Sequence, residues 1–306
     1  MIPSILQTLL DGLATGAAYA LLGVGFTLMF GVMRRLNLSY GASLMFGGYL
    51  GALLAAKAGD TLPGGAVAIL GAIVTVTGAT LAGLYVERLC FAPLRGRSGV
   101  AAMVSSFAVW MQIEELASLL LPKHTNPYPV PFDLTPFDVA GLSMRPEHLL
   151  TLAAAGAVAV GLHRLLTGSR FGLALRTLSD NAAAAEAVGI DARRTTLLAF
   201  LLASALGGIG AWLVLVADQQ VTPMFGMWST AKGLIAMMLG GLGSIPGAVV
   251  GGLLLGVVEA TGQTLFGPQV RELLAYALLF LVLVVRPGGL FGRTAVDLDA
   301  AARERL

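Results

Sequence analysis

The residues of this chain that could do chemistry gather in one place. Between Leu165 and Thr196 the sequence reads TGSRFGLALRTLSDNAAAAEAVGIDARRT, which sets Arg170, Arg176, Arg193 and Arg194 beside Asp180, Glu186 and Asp191. Ser179-Asp180 can cap a short helix from Asn181 to Val188, and Gly189 falls where a left-handed residue closes a helix. The run Ala182–Ala185 favours helix, but about two turns are too few to stand alone. Such an insert is either a grip for a partner protein or an ordinary interhelical loop with a local helix, and the residues leave both readings open.

Other polar groups are sparse. Asn37, Ser39, Tyr40 and Gly41 open an apolar segment; they either line a solute pathway or simply cap a helix at the membrane boundary. Gln112, Glu114 and Glu115 lie in the outer half of another segment. A carboxylate in a membrane is costly, so it faces a cavity, a partner or the headgroups. Asp11 and Glu259 read as interfacial. His124, His148 and His163 have no ligand spacing, so no metal site is expected, and the single Cys90 excludes an intrachain disulfide. No Gly-x-x-x-x-Gly-Lys-Ser loop occurs, nor any Ser-His-Asp, Cys-His or metalloprotease signature. The chain is therefore expected not to be an enzyme, to need no cofactor and to hydrolyse no ATP itself.

The elements that hold these residues are membrane spans. The chain has 306 residues, 57% of them hydrophobic and only 12% charged, with a mean hydropathy of +0.83. Soluble domains carry about 25% charged residues. The expected fold is all-α, a polytopic helical membrane protein with about 8–9 spans and broken helices, in a single transmembrane domain over 1–306. Segments of about 20 apolar residues fall near 5–31, 39–57, 65–87, 99–121, 147–165, 196–217, 229–243, 247–266 and 271–286. Fusing 229–266 into one crossing gives eight spans but sends the C-terminal arginines to the opposite side. Most of the 19 basic residues then fall in one set of loops, among them Arg34, Arg35, Arg88, Cys90's neighbour Arg95, Arg97, Arg176, Arg193, Arg293, Arg303 and Arg305. Lys57, Lys123, Arg145, Lys232 and Arg271 fall at the other ends. Basic residues stay inside, so the N-terminus is expected outside, the C-terminus and the 165–196 insert in the cytoplasm, and the Pro-rich loop at 122–146 outside. The small net charge, with arginines in short loops, excludes a nucleic-acid face. Met-Ile-Pro-Ser at the start has no basic n-region, so no cleaved signal peptide is expected.

Glycine carries the remaining pattern. Gly243, Gly247 and Gly251 recur every four residues, as do Gly252 and Gly256, which lets helix backbones approach closely or marks a hinge. Gly243-Ser244-Ile245-Pro246 breaks the helix, and that break must lie against protein or water.

Three stretches carry a resemblance. GLALRTLSDNAAAAEAVGI (172–190) with the following Arg193-Arg194 and LLAFLLASALGGIGAWL, GLATGAAYALLGVGFTLMFGVMRRLNLSYGA (12–42), and LGGLGSIPGAVVGGLLLGVVEA (239–260) with VRPGGLFG (285–292) resemble the permeases of branched-chain amino acid ABC importers, in the family's order. The opening looks like a LivH-type subunit rather than its LivM-type partner. One departure stands out: Leu38-Ser39-Tyr40-Gly41 replaces Phe-Ala-His-Gly, behind Arg34-Arg35 where small or apolar residues are usual.

The resemblance implies a binding-protein-dependent permease of the bacterial inner membrane. It implies a homologous second permease of LivM type, two cytoplasmic ATPases of LivG/LivF type that hydrolyse the ATP, and a periplasmic or extracellular solute-binding protein. Its cargo would be leucine, isoleucine, valine or a related small carboxylate. Asn37, Ser39, Tyr40, Gly41, Gly243 and Ser244 become the expected substrate pathway. Arg176, Asp180, Asn181, Glu186 and Gly189 become the expected ATPase coupling surface. The competing reading is an ion-coupled secondary transporter working alone, with Glu114 and Glu115 as its only candidate coupling charges; no convincing internal repeat supports it.

Overall fold

The structure is a computed structural model and describes residues 2–59, 61–95, 99–120, 125–129, 137–139 and 142–292. Expectations for Arg97, Lys123, His124, Arg293, Arg303, Arg305 and much of the 122–136 run lie outside the described residues. Eleven α-helices are described: α1 (Ile2–Met33), α2 (Tyr40–Ala58), α3 (Gly64–Val86), α4 (Gly99–Leu120), α5 (Pro146–Gly168), α6 (Arg170–Asp180), α7 (Ala182–Ala187), α8 (Ala192–Asp218), α9 (Met224–Gly240), α10 (Ile245–Phe266) and α11 (Arg271–Val285). A π-helical turn, Glu87–Phe91, continues α3. Two short antiparallel ribbons pair β1 (Asn126–Pro127) with β4 (Gln220–Val221) and β2 (Phe137–Val139) with β3 (Leu142–Met144).

The ribbons mark one end of the bundle, the sheet end, and α6–α7 mark the other, the insert end. All nine segments expected from hydropathy are present as long helices. Seven are long and apolar enough to cross a membrane, while α2 and α9 fall short of that measure. The start of α2 lies deep in the bundle. The Tyr40 hydroxyl donates to the Leu22 carbonyl at 3.3 Å, eleven residues before the end of α1, and lies 3.5 Å from the Ala203 carbonyl, eleven residues into α8. At 1.5 Å per residue that is about 16 Å in from those helix ends. The chain therefore turns at Arg34 and folds back into the bundle before α2 begins.

The core is organised around α1, which packs on α5, α8, α9 and α10. Its closest neighbour is α10, and the two glycine rows of α10 explain why. Gly252 and Gly256 face Ala20, Gly16 and Gly12 of α1, while Gly247 and Gly251 face Gly240 and Ala236 of α9. Small residues on both sides bring backbone against backbone, the packing lipid-embedded helices rely on. Gly243 is not part of either row. It lies at φ +83° with open space around it, so it is a turn glycine, and the expected four-residue repeat begins at Gly247.

At the sheet end, Tyr128 anchors the loop before α5. Its hydroxyl lies 2.6 Å from Thr75 Oγ1, its N–H donates to the Gln219 carbonyl, and burial pushes its hydroxyl up to about 12.

A Cβ added to Gly16 would sit 2.8 Å from the Leu253 Cα and 2.9 Å from the Gly252 carbonyl oxygen. Both obstacles are backbone, so no rotamer change relieves them. Gly16→Val should cost at least about 1–3 kcal/mol and lower the thermal midpoint of the detergent-solubilised protein. Gly161→Ala, in open space on α5, should leave that midpoint unchanged or raise it.

Candidate functional site

Three regions concentrate polar residues. The first is the insert. It is more ordered than an interhelical loop, because three caps follow one another in sequence. Ser169 Oγ accepts from the Gly172 N–H at 3.0 Å, Asn181 Oδ1 from the Ala184 N–H at 3.1 Å, and Asp191 Oδ1 from the Arg194 N–H at 3.0 Å. Each cap satisfies a helix-start donor. The expected cap at Ser179-Asp180 is corrected: those residues end α6, and Asn181 starts α7 because its extended backbone aims the side chain along the new axis. Gly189 has φ +84°, as its position after α7 requires.

The α6 helix buries Gly172, Leu175 and Leu178, whereas Arg176 is exposed, its Nε 3.4 Å from the Gly172 carbonyl. On α7 only Ala185 is buried, and Asp180, Asn181, Glu186 and Val188 are exposed. The insert thus stands off the bundle as a compact two-helix surface. Arg34, at φ +52°, donates to the Ser179 carbonyl at 3.0 Å, and Arg35 donates to the Leu94 carbonyl at 2.8 Å. The two arginines tie the α1–α2 elbow to the insert and to the segment after the π-helical turn. Cys90 is fully buried in that turn.

The second region is the elbow with the break before α10. Asn37, Ser39 and Tyr40 are buried at 1%, 0% and 0% exposure. The Leu38 N–H donates to Ser106 Oγ, the Ser39 N–H to Asn37 Oδ1, and Ser39 Oγ to the Ser106 carbonyl. Tyr40 packs edge-on to Phe26, with ring centroids 4.5 Å apart, and Gly41 lies against Gly226 and Thr230. This segment lies away from the Gly240–Gly247 break. Thr230 is ten residues from Gly240 along α9, about 15 Å, and the break is contacted from elsewhere. Ser244 caps α10 through the Gly247 N–H, and the Leu290 and Phe291 N–H groups donate to the Leu239 and Gly240 carbonyls. The loose carbonyls of α9 are thus satisfied by the Gly288–Gly292 tail of the motif at the C-terminal end.

The third region is a groove that hydropathy did not reveal. It has α1 as its floor and α5 and α10 as its walls. Its sheet end is a polar cleft of about 570 Å³, lined by Asp11, Thr15, Tyr19, Arg145, Glu147, His148, Asp218, Trp228, Glu259 and Arg271 among others. The next turns of the same three helices, including Ala17, Leu21, Leu152, Ala155, Val249 and Leu253, line an apolar stretch of about 390 Å³ that reaches Ile245 and Pro246 beside the break. None of the expected pathway residues lines this groove; Gly243 and Ser244 precede Ile245 and Pro246, which do.

Behind the cleft lies a buried ionic cluster. Glu259 accepts from Lys232 Nζ, from Arg271 Nε at 2.9 Å and from the Tyr19 hydroxyl at 2.9 Å. Arg271 also donates to the Tyr19 hydroxyl, and Lys232 Nζ lies 3.0 Å from Glu272. Lys232 and Glu259 are 0% and 1% exposed, which corrects their placement at outer, interfacial span ends. The error came from starting the seventh span near 229; α9 begins at Met224, five residues earlier, and carries Lys232 inside. An isolated charge in each of two apolar segments, of opposite sign, was the available signal. Glu114 is half-buried and Glu115 exposed, and neither is ion-paired among the described residues.

A bundle of long apolar helices around a polar-to-apolar groove, with a helical insert at one end, defines a multi-pass transport permease. The sequence matches the family described as "Branched-chain amino acid transport system / permease component" over residues 8–283, and the chain belongs to that family. It is thus a multi-pass inner-membrane permease. It is 32% identical over 302 residues to the high-affinity branched-chain amino acid transport system permease protein BraD of Pseudomonas aeruginosa, covering 95% of this chain and 97% of that one. It is 28% identical over 304 residues to the corresponding protein LivH of Escherichia coli K12, with the same coverage. Among solved structures, one described as a metal-chelate type ABC transporter in an inward-facing conformation superposes with a TM-score of 0.52 at 18% identity, covering 92% of this chain and 87% of that one, a likeness of fold.

Removing one partner from a buried ion pair leaves an uncompensated charge, at about 3–5 kcal/mol. Glu259→Gln leaves Arg271 with no carboxylate and Lys232 with only the half-exposed Glu272, so it should lower the thermal midpoint more than Lys232→Met, which leaves Glu259 with Arg271 and Tyr19. Thermal unfolding of the two variants in detergent checks this order.

Proposed function

We propose that this chain is the permease subunit of an ATP-driven importer of branched-chain amino acids. It would work with a homologous LivM-type permease, two cytoplasmic ATPases of LivG/LivF type and a solute-binding protein. The observation that carries this reading is the family match over residues 8–283, together with full-length likeness to permeases named for branched-chain amino acid transport. The groove supports it: a polar mouth followed by an apolar run suits a small molecule with a charged head and an aliphatic tail. In this reading the groove faces the second permease and forms half of the pathway. The sheet end faces outward, where the binding protein delivers cargo, and the insert end faces the cytoplasm, where the basic residues lie. ATP is hydrolysed by the partner subunits, and the permease itself carries no cofactor. The test is uptake of L-leucine by vesicles holding the whole complex. Uptake should require ATP and fail with hydrolysis-deficient ATPases; uptake that persists without the ATPases and collapses with an ionophore would establish the ion-coupled reading instead.

The α6–α7 surface is the coupling element, with Arg176, Asp180, Asn181, Glu186 and Gly189 meeting the ATPases. A Cβ at Gly189 meets nothing within 4 Å, so Gly189→Val acts only through its positive φ, at about 1–2 kcal/mol. That is enough to misalign a six-residue helix and small beside the packing of nine long helices. Gly189→Val should leave membrane insertion intact, reduce co-purification of the ATPases and abolish uptake. Normal co-purification and uptake would remove α7 from that role.

A further inference from the structure

The cleft at the sheet end contains charges that its own contacts do not use. Asp11 is held by His148 Nδ1 at 3.1 Å and by Gln7 Nε2 at 2.8 Å. Glu259 is filled by Lys232, Arg271 and Tyr19, and Arg271 is spent on Glu259 and Tyr19. Among the described residues lining the cleft, that leaves Glu147, Arg145 and Asp218 without ion pairs. Glu147 is the unusual one. It is 9% exposed, and its Oε2 is buried with no hydrogen-bond partner. A buried carboxylate oxygen with nothing to accept from is costly, and native proteins rarely keep one without a use.

Glu147 and Arg145 flank Pro146 at the start of α5, with Arg145 in extended backbone and exposed and Glu147 in the first helical turn. Two opposite charges two residues apart, on one wall of a cleft, match a molecule that carries both charges on neighbouring atoms. The cleft's volume of about 570 Å³ is that of a small-molecule site. Below it, the wall of α5 continues into Leu152 and Ala155, facing Ala17 and Leu21 of α1 and Val249 and Leu253 of α10.

Resting on the reading of the chain as an amino-acid permease, we propose that Glu147 and Arg145 form a zwitterion clamp at the mouth of the pathway. Glu147 accepts from the α-ammonium, Arg145 donates to the α-carboxylate, and the aliphatic side chain lies down the apolar groove. Asp218, which also lines the cleft, offers a second acceptor to the ammonium. Cargo released from a binding protein would thus be caught by its invariant end and slid side chain first, so the clamp reads the amino-acid backbone and the groove reads apolarity.

The test uses the whole importer in proteoliposomes, with binding protein preloaded with labelled L-leucine and titrated from outside. Glu147→Gln keeps shape and removes charge. It should lower the maximal uptake rate about tenfold, the effect of losing one charged contact. The half-saturating concentration of loaded binding protein and the ATPase activity without cargo should stay at wild-type values. Arg145→Gln should do the same, and Glu147→Asp should restore part of the rate. A wild-type maximal rate in Glu147→Gln overturns the clamp. So does a raised half-saturating concentration with the maximal rate kept, which assigns Glu147 to docking the binding protein. If Glu147→Gln fails to assemble, exposed Arg145 decides: wild-type uptake in Arg145→Gln overturns the proposal. Absence of leucine uptake by the wild-type complex is a separate outcome, and it sinks the amino-acid reading itself.

Discussion

One carboxylate holds four helices together. Glu259 stands on α10 and accepts from Tyr19 of α1, Lys232 of α9 and Arg271 at the start of α11. In an interior without water, such a group must be fully paired or it costs several kcal/mol, so its donors fix how these helices stand relative to one another. The glycine rows act in the same place. Gly252 and Gly256 bring α10 against α1, and Gly247 and Gly251 bring it against α9, which sets the backbones close enough for three donors to reach one side chain. Packing and charge pairing are thus one constraint here. Its result is a floor on α1 that stays fixed while α5 and α10 rise on either side as walls.

Wherever regular helix is interrupted within the bundle, the freed backbone groups are satisfied locally. At the elbow, Ser106 and Asn37 supply the partners. At the break before α10, the chain's own C-terminal tail supplies them through Leu290 and Phe291. Hydrocarbon would not tolerate either interruption unpaired. The two breaks are therefore structural joints with dedicated partners, the elbow buried at Asn37, Ser39 and Tyr40 and the second exposed at Leu242 and Gly243.

Much of this was legible in the residues. Hydropathy gave the nine long helices because apolar length is what a bilayer demands. The three capped turns of the insert were partly legible, since Gly189 announced its own conformation, while the choice between Asp180 and Asn181 depended on where α6 ended. Asn37, Ser39, Tyr40 and Gly41 do not line the groove, and the reason is physical. A polar residue opening a span has the same sequence signature whether it faces a solute or another helix, and Tyr40 and Ser39 face helices. The groove is written in small and aliphatic residues of α1, α5 and α10, which look like lipid-facing residues until three helices are set side by side. Glu147 was invisible as a site, because a carboxylate in a first helical turn normally needs no explanation beyond the helix itself.

The paired arginines of the elbow have a mechanical consequence. Arg34 grips the Ser179 carbonyl at the end of α6, and Arg35 grips Leu94 beyond the π-helical turn. Between these handles and α2 lie only four residues, the last two in a turn, before α2 starts deep in the protein. Arg34 therefore links the end of α6 to the buried start of α2 through a few residues of main chain. In this architecture the surface and the centre of the bundle are separated by a few main-chain bonds.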